Sequence, residues 1–157
     1  FETEVLTEDI TMAGEIEAKL NVATTGTDAD WVVKVVDVYP ADAEDTEEVQ
    51  DHLKMSNYHM MVRSEVLPAR FRNGFEKAEA SVQNQKTDID FTLQGIYHTF
   101  KKGHKIQIQV QSTWFPLINL NPQTFVPNIF NAEKSDYKKQ THTVFGDSSI
   151  EFTVLEK

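Results

Sequence analysis

Residues 15–38 read EIEAKLNVATTGTDADWVVKVVDV, and this stretch decides the fold class. Over residues 15–22, polar side chains alternate with the apolar Ile16, Ala18, Leu20 and Val22. A period of two is typical of a β-strand with one buried face. Residues 31–38 are apolar at nearly every position, which predicts a strand covered on both faces and central in its sheet. The TTGTDAD between them predicts a polar turn, in which Gly26 is free to adopt a positive φ.

The same strand pattern recurs along the rest of the chain, over residues 60–67, 88–94, 105–111 and 150–154. Residues 5–12 predict a first strand pair that is broken near Glu8 and Asp9. Lys101–Gly103 lies between two strong strands and predicts a hairpin turn. Residues 115–131 are irregular and contain three prolines, and residues 132–139 predict a short helix.

About seven to nine short strands, with no long stripe of 3.6-residue period, predict an all-β protein. We interpret the pattern as a jelly-roll β-sandwich. Neither a linker nor an internal repeat divides the chain, so residues 1–157 are predicted to form a single domain. The absence of a Cys-Trp-Cys pattern weighs against an immunoglobulin-like sandwich.

Charge and composition exclude several classes of function. The 157 residues carry 15 Lys and Arg against 25 Asp and Glu, a formal net charge of -10. Binding to nucleic acid or to an anionic membrane needs a basic face, so neither partner is expected. The chain has no cysteine, which excludes disulfides, thiolate catalysis and cysteine metal sites. No apolar run approaches the ~20 residues that a membrane-spanning helix needs.

The sequence shows no catalytic constellation. None of its serines lies in the G-x-S-x-G context of an α/β-hydrolase nucleophile. The five histidines lack the i, i+4 or H-x-H spacing of a metal site, so a self-contained metalloenzyme is a weak hypothesis. His98 and His104 bracket the predicted hairpin turn, and the simplest interpretation is that both hydrogen-bond backbone there.

Acidic turns raise the question of a calcium site. Asp28 and Asp30 place two carboxylates in one oxygen-rich turn, which makes them weak Ca²⁺ candidates. Their spacing is not that of an EF-hand, and Asx side chains that cap backbone amides explain the turn more simply. The acidic run over residues 42–51 is interpreted as a solvated loop. No metal and no cofactor are therefore predicted.

An aromatic stretch begins at Ile96: IYHTFKKGHKIQIQVQSTWFPLINLNPQTFVPNIF. Its aromatic side chains are interleaved with prolines and amides, which leaves three roles open. They could pack within this domain, form an interface with another domain, or provide a platform for sugars. Packing is the default interpretation on composition alone.

Within that stretch, residues 103–130 (GHKIQIQVQSTWFPLINLNPQTFVPNIF) resemble the C-terminal domain of the X-Pro dipeptidyl-peptidase/cocaine-esterase hydrolase family. Three further motifs carry the resemblance: TDADWVVKVVDVYP at residues 27–40, RFR with FE at residues 70–76, and SSIEFTVL at residues 148–155. The similarity runs from about Leu6 to Leu155. It is nearest to the branch of α-amino-acid ester hydrolases and glutaryl-7-aminocephalosporanic acid acylases.

The resemblance implies a jelly roll of the galactose-binding type. In this family the Ser-Asp-His triad belongs to an N-terminal α/β-hydrolase domain, which is then the expected partner in the same polypeptide. The parent would be a serine hydrolase that cleaves esters or amides, or an X-Pro dipeptidyl-peptidase, through an acyl-serine intermediate. This chain would be its non-catalytic accessory domain, bracing the catalytic domain and bordering its active site. The branch favours a periplasmic or secreted location and leaves a homo-oligomeric parent open.

On this interpretation, six residues of the aromatic stretch are predicted to serve structure and domain interface: Tyr97, His98, Trp114, Phe115, Asn121 and Gln123. The alternative function is a free-standing carbohydrate-binding β-sandwich module, for which the exposed aromatics would be the sugar platform. Two departures from the family pattern bear on domain contacts. Asn119-Leu120 replaces a common Asp-Arg, and Pro68-Ala69 replaces a common Arg-Gly.

Overall fold

The computed structural model describes residues 1–48, 50 and 52–156. Seven strands lie within these ranges: β1 (Ile10–Thr24), β2 (Asp30–Val38), β3 (His59–Pro68), β4 (Thr87–Phe100), β5 (Lys105–Gln111), β6 (His142–Val144) and β7 (Ser149–Val154). Three short 3-10 helices accompany them: Ala69–Phe71, Ile129–Asn131 and Lys134–Asp136. None of the helices in these ranges has the length and apolar character needed to cross a membrane.

The strands form two antiparallel sheets. In the four-stranded sheet, β1 pairs with β4 along one edge and with both β6 and β7 along the other. In the three-stranded sheet, β2 lies between β3 and β5. Two antiparallel sheets confirm the predicted all-β sandwich, and the jelly-roll subtype stays a prediction.

The core lies between the two sheets, where β1 and β2 contribute most of the apolar side chains. The alternating residues of β1 that the sequence placed on one face, from Ile16 to Val22, are buried. They belong to one cluster with Trp31, Val33 and Val35 of β2 and with Phe100 of β4. Burial of each of the larger side chains is worth roughly 1.5–3 kcal/mol. As predicted, β2 is the central strand of its sheet, with every residue from Asp30 to Asp37 buried except Lys34.

Several observed elements depart from the sequence-based prediction in their limits or their type. β1 begins at Ile10, so residues 5–9 do not form the first part of a strand pair. β1 nevertheless runs for 15 residues, because a bulge between Gly14 and Ile16, with Gly14 at φ 102, resets its register against β4. The predicted helix over residues 132–139 is reduced to the single 3-10 turn Lys134–Asp136. β6 was not predicted, since three residues are too short to show a period.

The predicted hairpin at Lys101–Gly103 is wrong. β4 pairs with β1, whereas β5 pairs with β2, so this turn carries the chain from one sheet to the other. Gly103 adopts φ 90, and the N–H of His104 donates to the C=O of Lys101 over 3.0 Å. A tight turn between two strong strands is thus compatible with a sandwich corner as well as with a hairpin.

The acidic run over residues 42–51 is a loop with little regular structure, as predicted, in the part of it that the structure describes. Asp45 organises it: its carboxylate accepts from the N–H of Met55 at 2.8 Å and from Nζ of Lys54 at 2.9 Å. Val49 and Asp51 of that run lie outside the described residues.

Candidate domain interface

After β5, residues 112–131 run without a strand across one end of the sandwich, and we call them the 112–131 segment. Near its start, the ring of Trp114 lies 4.1 Å from Nζ of Lys34, measured to the ring centroid. Lys34 is the one incompletely buried residue between Asp30 and Asp37. Trp114 therefore covers an outward-facing cation of the central strand, in a cation–π contact.

Asn121 anchors the middle of the 112–131 segment. Its Nδ2 donates to Oδ1 of Asp30 over 3.0 Å, and its own Oδ1 accepts from the N–H of Gln123 over 2.8 Å. Asn121 is only 7% exposed, so both bonds are shielded from water. Buried polar groups that are fully paired fix a loop in one geometry. Asn121 thus ties the segment to the first residue of β2.

Gln123 and Gly26 meet at a close backbone contact. The C=O of Gln123 accepts from the N–H of Thr27 over 3.2 Å, and the next bond joins the N–H of Phe125 to Oγ1 of Thr27 at 2.8 Å. A Cβ on Gly26 would stand 2.4 Å from the Gln123 oxygen. Gly26 has no positive φ, so the sequence-based reason for this glycine was wrong. The turn needs glycine because another backbone approaches it.

A buried ion pair lies beside these bonds. Nε of Arg70 donates to Oδ2 of Asp28 over 2.9 Å, and Nη2 donates to the same oxygen. Oδ1 of Asp28 accepts from the N–H of Ala29 over 3.0 Å. The guanidinium also lies 5.0 Å from the ring centroid of Phe125. One cation thus joins the turn before β2 to the 112–131 segment.

Asp30, next to this pair, has an altered acidity. Burial raises the pKa of the Asp30 carboxyl to about 6, and the negative charge of Asp28 acts in the same direction. The hydrogen bond from Asn121 and the charge of Arg70 oppose this rise of the pKa without cancelling it. The anchor of the 112–131 segment therefore contains a carboxyl that takes up a proton near neutral pH.

Asp28 and Asp30, the two calcium candidates, both bind side chains of the protein. Asp28 faces Arg70, and Asp30 faces Asn121. Within residues 1–48, 50 and 52–156, no cluster of three or more His, Cys, Asp or Glu side chains is placed to hold a metal ion. The arrangement is that of a structural ion pair next to a hydrogen bond from a side-chain amide to a carboxyl group.

Anchored in this way, the 112–131 segment exposes apolar side chains. Phe115 is 63% exposed, Leu117 67%, Leu120 46% and Phe130 76%. Beside them lies a groove of about 380 Å³ whose apolar walls include Val66, Pro68, Phe71, Ile118 and Phe130. Asp30 and Arg70 also line this groove. An exposed apolar patch of this kind is typical of a surface that contacts another protein or domain.

The predicted interface residues do not form one surface. Trp114, Phe115, Asn121 and Gln123 share the 112–131 segment, where Asn121 is buried and Trp114 and Gln123 are half-buried. Tyr97 and His98 belong instead to β4 of the four-stranded sheet. Tyr97 is 77% exposed, opposite Ala13 of β1.

His98 has a separate role together with His104. Nε2 of His98 lies 2.9 Å from Oδ2 of Asp37, and Nδ1 of His104 lies 2.7 Å from Oδ1 of the same carboxylate. The prediction that both histidines bond backbone is therefore wrong. Asp37 belongs to β2 and His98 to β4, so the cluster links the two sheets. The sequence carried one signal for it, a lone acid in the apolar run WVVKVVDV.

Arg70 was also absent from the predicted site residues, although it belongs to one of the motifs that carried the family resemblance. Its partner could not be predicted, because Asp28 lies 42 residues away in the chain. The fold brings these two motifs and the NPQTF motif to one end of the sandwich.

The motifs that meet here agree with a comparison against known families. Residues 1–150 match the profile of the X-Pro dipeptidyl-peptidase C-terminal non-catalytic domain. The chain belongs to this family. The predicted resemblance is thereby confirmed, and this family member is a non-catalytic C-terminal domain of X-Pro dipeptidyl-peptidase family hydrolases.

Relatives of the family member are longer proteins. An aminopeptidase from a marine sediment Thaumarchaeota archaeon is 36% identical with a TM-score of 0.92, and an α-amino acid ester hydrolase is 40% identical with a TM-score of 0.89. In both structures the match covers 99% of this chain and 25% of the other. Cocaine esterase from Rhodococcus sp. (strain MB1 Bresler) is 27% identical over 124 residues, which are 79% of this chain and 19% of that protein. The family member thus spans about a quarter or less of these relatives.

Proposed function

We propose that this domain packs against an N-terminal α/β-hydrolase domain of the same polypeptide and braces it through the 112–131 segment. One observation carries the proposal: Phe115, Leu117, Leu120 and Phe130 are exposed on a segment that buried polar bonds hold in place. A loop that needed these side chains for its own packing would bury them. Apolar side chains at the centre of a contact between domains gain their free energy only when the partner covers them.

The lengths of the relatives support a partner in the same chain, because the family member matches only about a quarter of each relative's structure. The printed names of the relatives are those of an aminopeptidase, an ester hydrolase and an esterase. On the proposal, the parent is a serine hydrolase that acts on an ester or amide through an acyl-enzyme, with its triad in the partner domain. This chain contributes no nucleophile.

The groove beside Phe130 extends the proposal to the active site. Its apolar walls end at Asp30 and Arg70, so it offers both an apolar surface and polar groups. If the 112–131 segment contacts the hydrolase domain, this groove borders the shared boundary and forms one wall of the substrate entrance. Replacement of groove residues should then change KM more than kcat.

The test uses the intact polypeptide and a matched pair of variants. Leu120 and Leu53 are each 46% exposed, but Leu53 lies in the loop between β2 and β3. We expect Leu120→Ser, and more strongly Phe115→Ser/Leu120→Ser, to lower the temperature at which hydrolysis of a p-nitrophenyl ester is lost. Leu53→Ser should leave that temperature unchanged. Equal behaviour of the Leu120 and Leu53 variants would contradict the proposed bracing contact.

Sugar binding is a distinguishable outcome. If the aromatic side chains form a sugar platform, Phe115→Ser should abolish binding to a glycan array while the inactivation temperature of the hydrolase stays the same. If the wild-type polypeptide binds no glycan on the array, and the Phe115→Ser/Leu120→Ser variant loses activity at a lower temperature, the domain contact is left as the function of the segment.

A further inference from the structure

A second apolar groove lies at a different place, along the open side of the sandwich between β5 and β7. Its volume is about 450 Å³, and its apolar walls include Phe1, Ile108, Val110, Val144, Ile150 and Phe152. Ile108, Val110, Val144 and Ile150 are only partly buried although they pack against the core cluster. The core is thus incompletely covered on this side.

The N-terminal residues already cover part of this opening. The N-terminal nitrogen of Phe1 donates to the C=O of Ile108 over 3.0 Å, and the N–H of Ile108 donates to the C=O of Phe1 over 2.8 Å. The N–H of Thr3 donates to the C=O of Ile106 over 3.0 Å. Between them, Glu2 and Gln107 form an antiparallel bridge. Residues 1–3 therefore lie along the edge of β5 that faces away from β2.

The direction of this pairing determines where earlier residues would run. The two segments are antiparallel, so residue numbers fall along one as they rise along the other: Thr3 lies beside Ile106 and Phe1 lies beside Ile108. Alternate residues of a strand point their N–H and C=O to the same edge, so Val110 presents these groups to the edge that Ile106 and Ile108 use. A residue immediately before Phe1 would lie beside Gln109, and the second residue before Phe1 would lie beside Val110.

We infer that the segment preceding Phe1 in the full-length polypeptide continues this strand along Gln109–Gln111 and covers the groove between β5 and β7. The inference does not depend on which face contacts the hydrolase domain. It rests on the pairing of residues 1–3 and on relatives about four times longer than their matched part. Directly opposite residues of a hydrogen-bonded pair share a face. The second residue before Phe1 should therefore be apolar and should point into the groove, as Phe1, Ile108 and Val110 do.

A free edge explains why such a strand is stabilising. Unpaired N–H and C=O groups on a sheet edge invite pairing with another chain, and apolar groove walls add to that tendency. A strand from the same polypeptide pairs the edge groups and covers the apolar walls, so no second molecule is needed to do either. Its expected effect is to make the three-stranded sheet four-stranded, equal to the sheet on the other side of the core.

The test is a disulfide in the full-length polypeptide. The residue immediately before Phe1 and Gln109 would form a non-hydrogen-bonded pair, like Glu2 and Gln107, so cysteines at both positions should join within one chain. The control pairs the same upstream cysteine with Lys105→Cys, which lies on the same strand four residues away and should stay unjoined. Peptide mapping by mass spectrometry identifies the joined pair.

Hydrogen exchange provides a second readout that does not need cysteines. Proline at the second residue before Phe1 removes the N–H that would donate to Val110, and should speed exchange at the Val110 amide by ~10-fold or more. Proline at the residue immediately before Phe1 removes an N–H that points away from β5 and should change this exchange much less. Equal effects of the two prolines, no disulfide at Gln109, or a disulfide that joins two polypeptides would each overturn the inference.

Discussion

Arg70 and Asp28 form a buried ion pair in which Nε and Nη2 of the arginine both donate to Oδ2 of the aspartate. The Arg70 side chain is 6% exposed and that of Asp28 is not exposed. The pair joins the turn before β2 to the 3-10 helix that follows β3, and the guanidinium also faces Phe125. It therefore lies at the centre of the contacts that hold the 112–131 segment.

Removal of Arg70 should be severely destabilising. Arg70→Met leaves the carboxylate of Asp28 buried without its cation, and we expect a loss of about 3–5 kcal/mol in the free energy of unfolding, measured in urea. The double variant Asp28→Asn/Arg70→Met should recover part of this loss, because no unpaired charge remains. The exposed pair Lys19–Glu151 provides the control, and Lys19→Met should cost far less. A similar cost for both single variants would contradict the importance of the buried pair.

Asp30 should make stability depend on pH. Its pKa of about 6 in the folded protein lies above the ordinary value of 3.8, so between these values the folded state binds more protons than the unfolded state. The free energy of unfolding contributed by this group should therefore fall as pH rises from about 4 to about 6. Asp30→Asn mimics the protonated group and should remove this dependence, with a gain of roughly 2–3 kcal/mol at pH 7 relative to pH 4.

Urea unfolding of wild type and Asp30→Asn at pH 4, 5, 6 and 7 checks this expectation. The difference between the two proteins should grow with pH and level off above pH 7. Asp88→Asn, which neutralises an exposed acid of β4, provides the comparison variant for the removal of one carboxylate. A difference that is constant over this range would contradict the raised pKa of Asp30, because it would mean that folding does not change how this carboxyl binds protons.

Gly26 should tolerate no side chain. In Gly26→Ala the new methyl group would stand 2.4 Å from the backbone oxygen of Gln123, which cannot move without breaking its bond to Thr27. We expect a loss of about 1–3 kcal/mol in the free energy of unfolding and greater protease sensitivity of the 112–131 segment. Gly146→Ala is the matched control, because a Cβ there meets no atom within 4 Å. Its effect should stay within about 1 kcal/mol.

Asp37 should stabilise the contact between the sheets. Asp37→Asn weakens the bonds to both His98 and His104, and we expect a loss of about 2–3 kcal/mol in the free energy of unfolding. NMR signals of the two imidazole rings should shift together in this variant, because one carboxylate serves both. Independent behaviour of the two rings would contradict the shared site. His59, exposed at the start of β3, should keep its signal.

Alternation explains why most of the sandwich could be predicted. Ile16, Ala18, Leu20 and Val22 are buried together because a strand of period two places alternate side chains on one face. β2 is central because its apolar side chains point to both faces and both faces must be covered. The limits of β1 and β4 were less predictable. Both strands extend beyond their alternating parts. Their pairing continues past a bulge at Gly14 of β1, which the hydrophobic periodicity does not predict.

Pairing of the strands required the fold itself. The turn at Lys101–Gly103 has the length and composition of a hairpin, yet the strands on either side of it belong to different sheets. The local sequence indicates which residues form a turn. Which strand β4 or β5 then pairs with depends on apolar surface elsewhere in the chain. The same limit applied to His98 and His104, whose common partner is contributed by β2.

By itself, the sequence determined the all-β class, the buried faces of β1 and β2, and the family, because these depend on local periods and on long irregular motifs such as NPQTF. Tertiary structure alone decided that Asp28 meets Arg70, that Asp30 meets Asn121, and that Gly26 lies under the backbone of Gln123. Each of these contacts joins residues far apart in the chain. Its free energy exists only after the two sheets have packed and excluded water from the space between the partners.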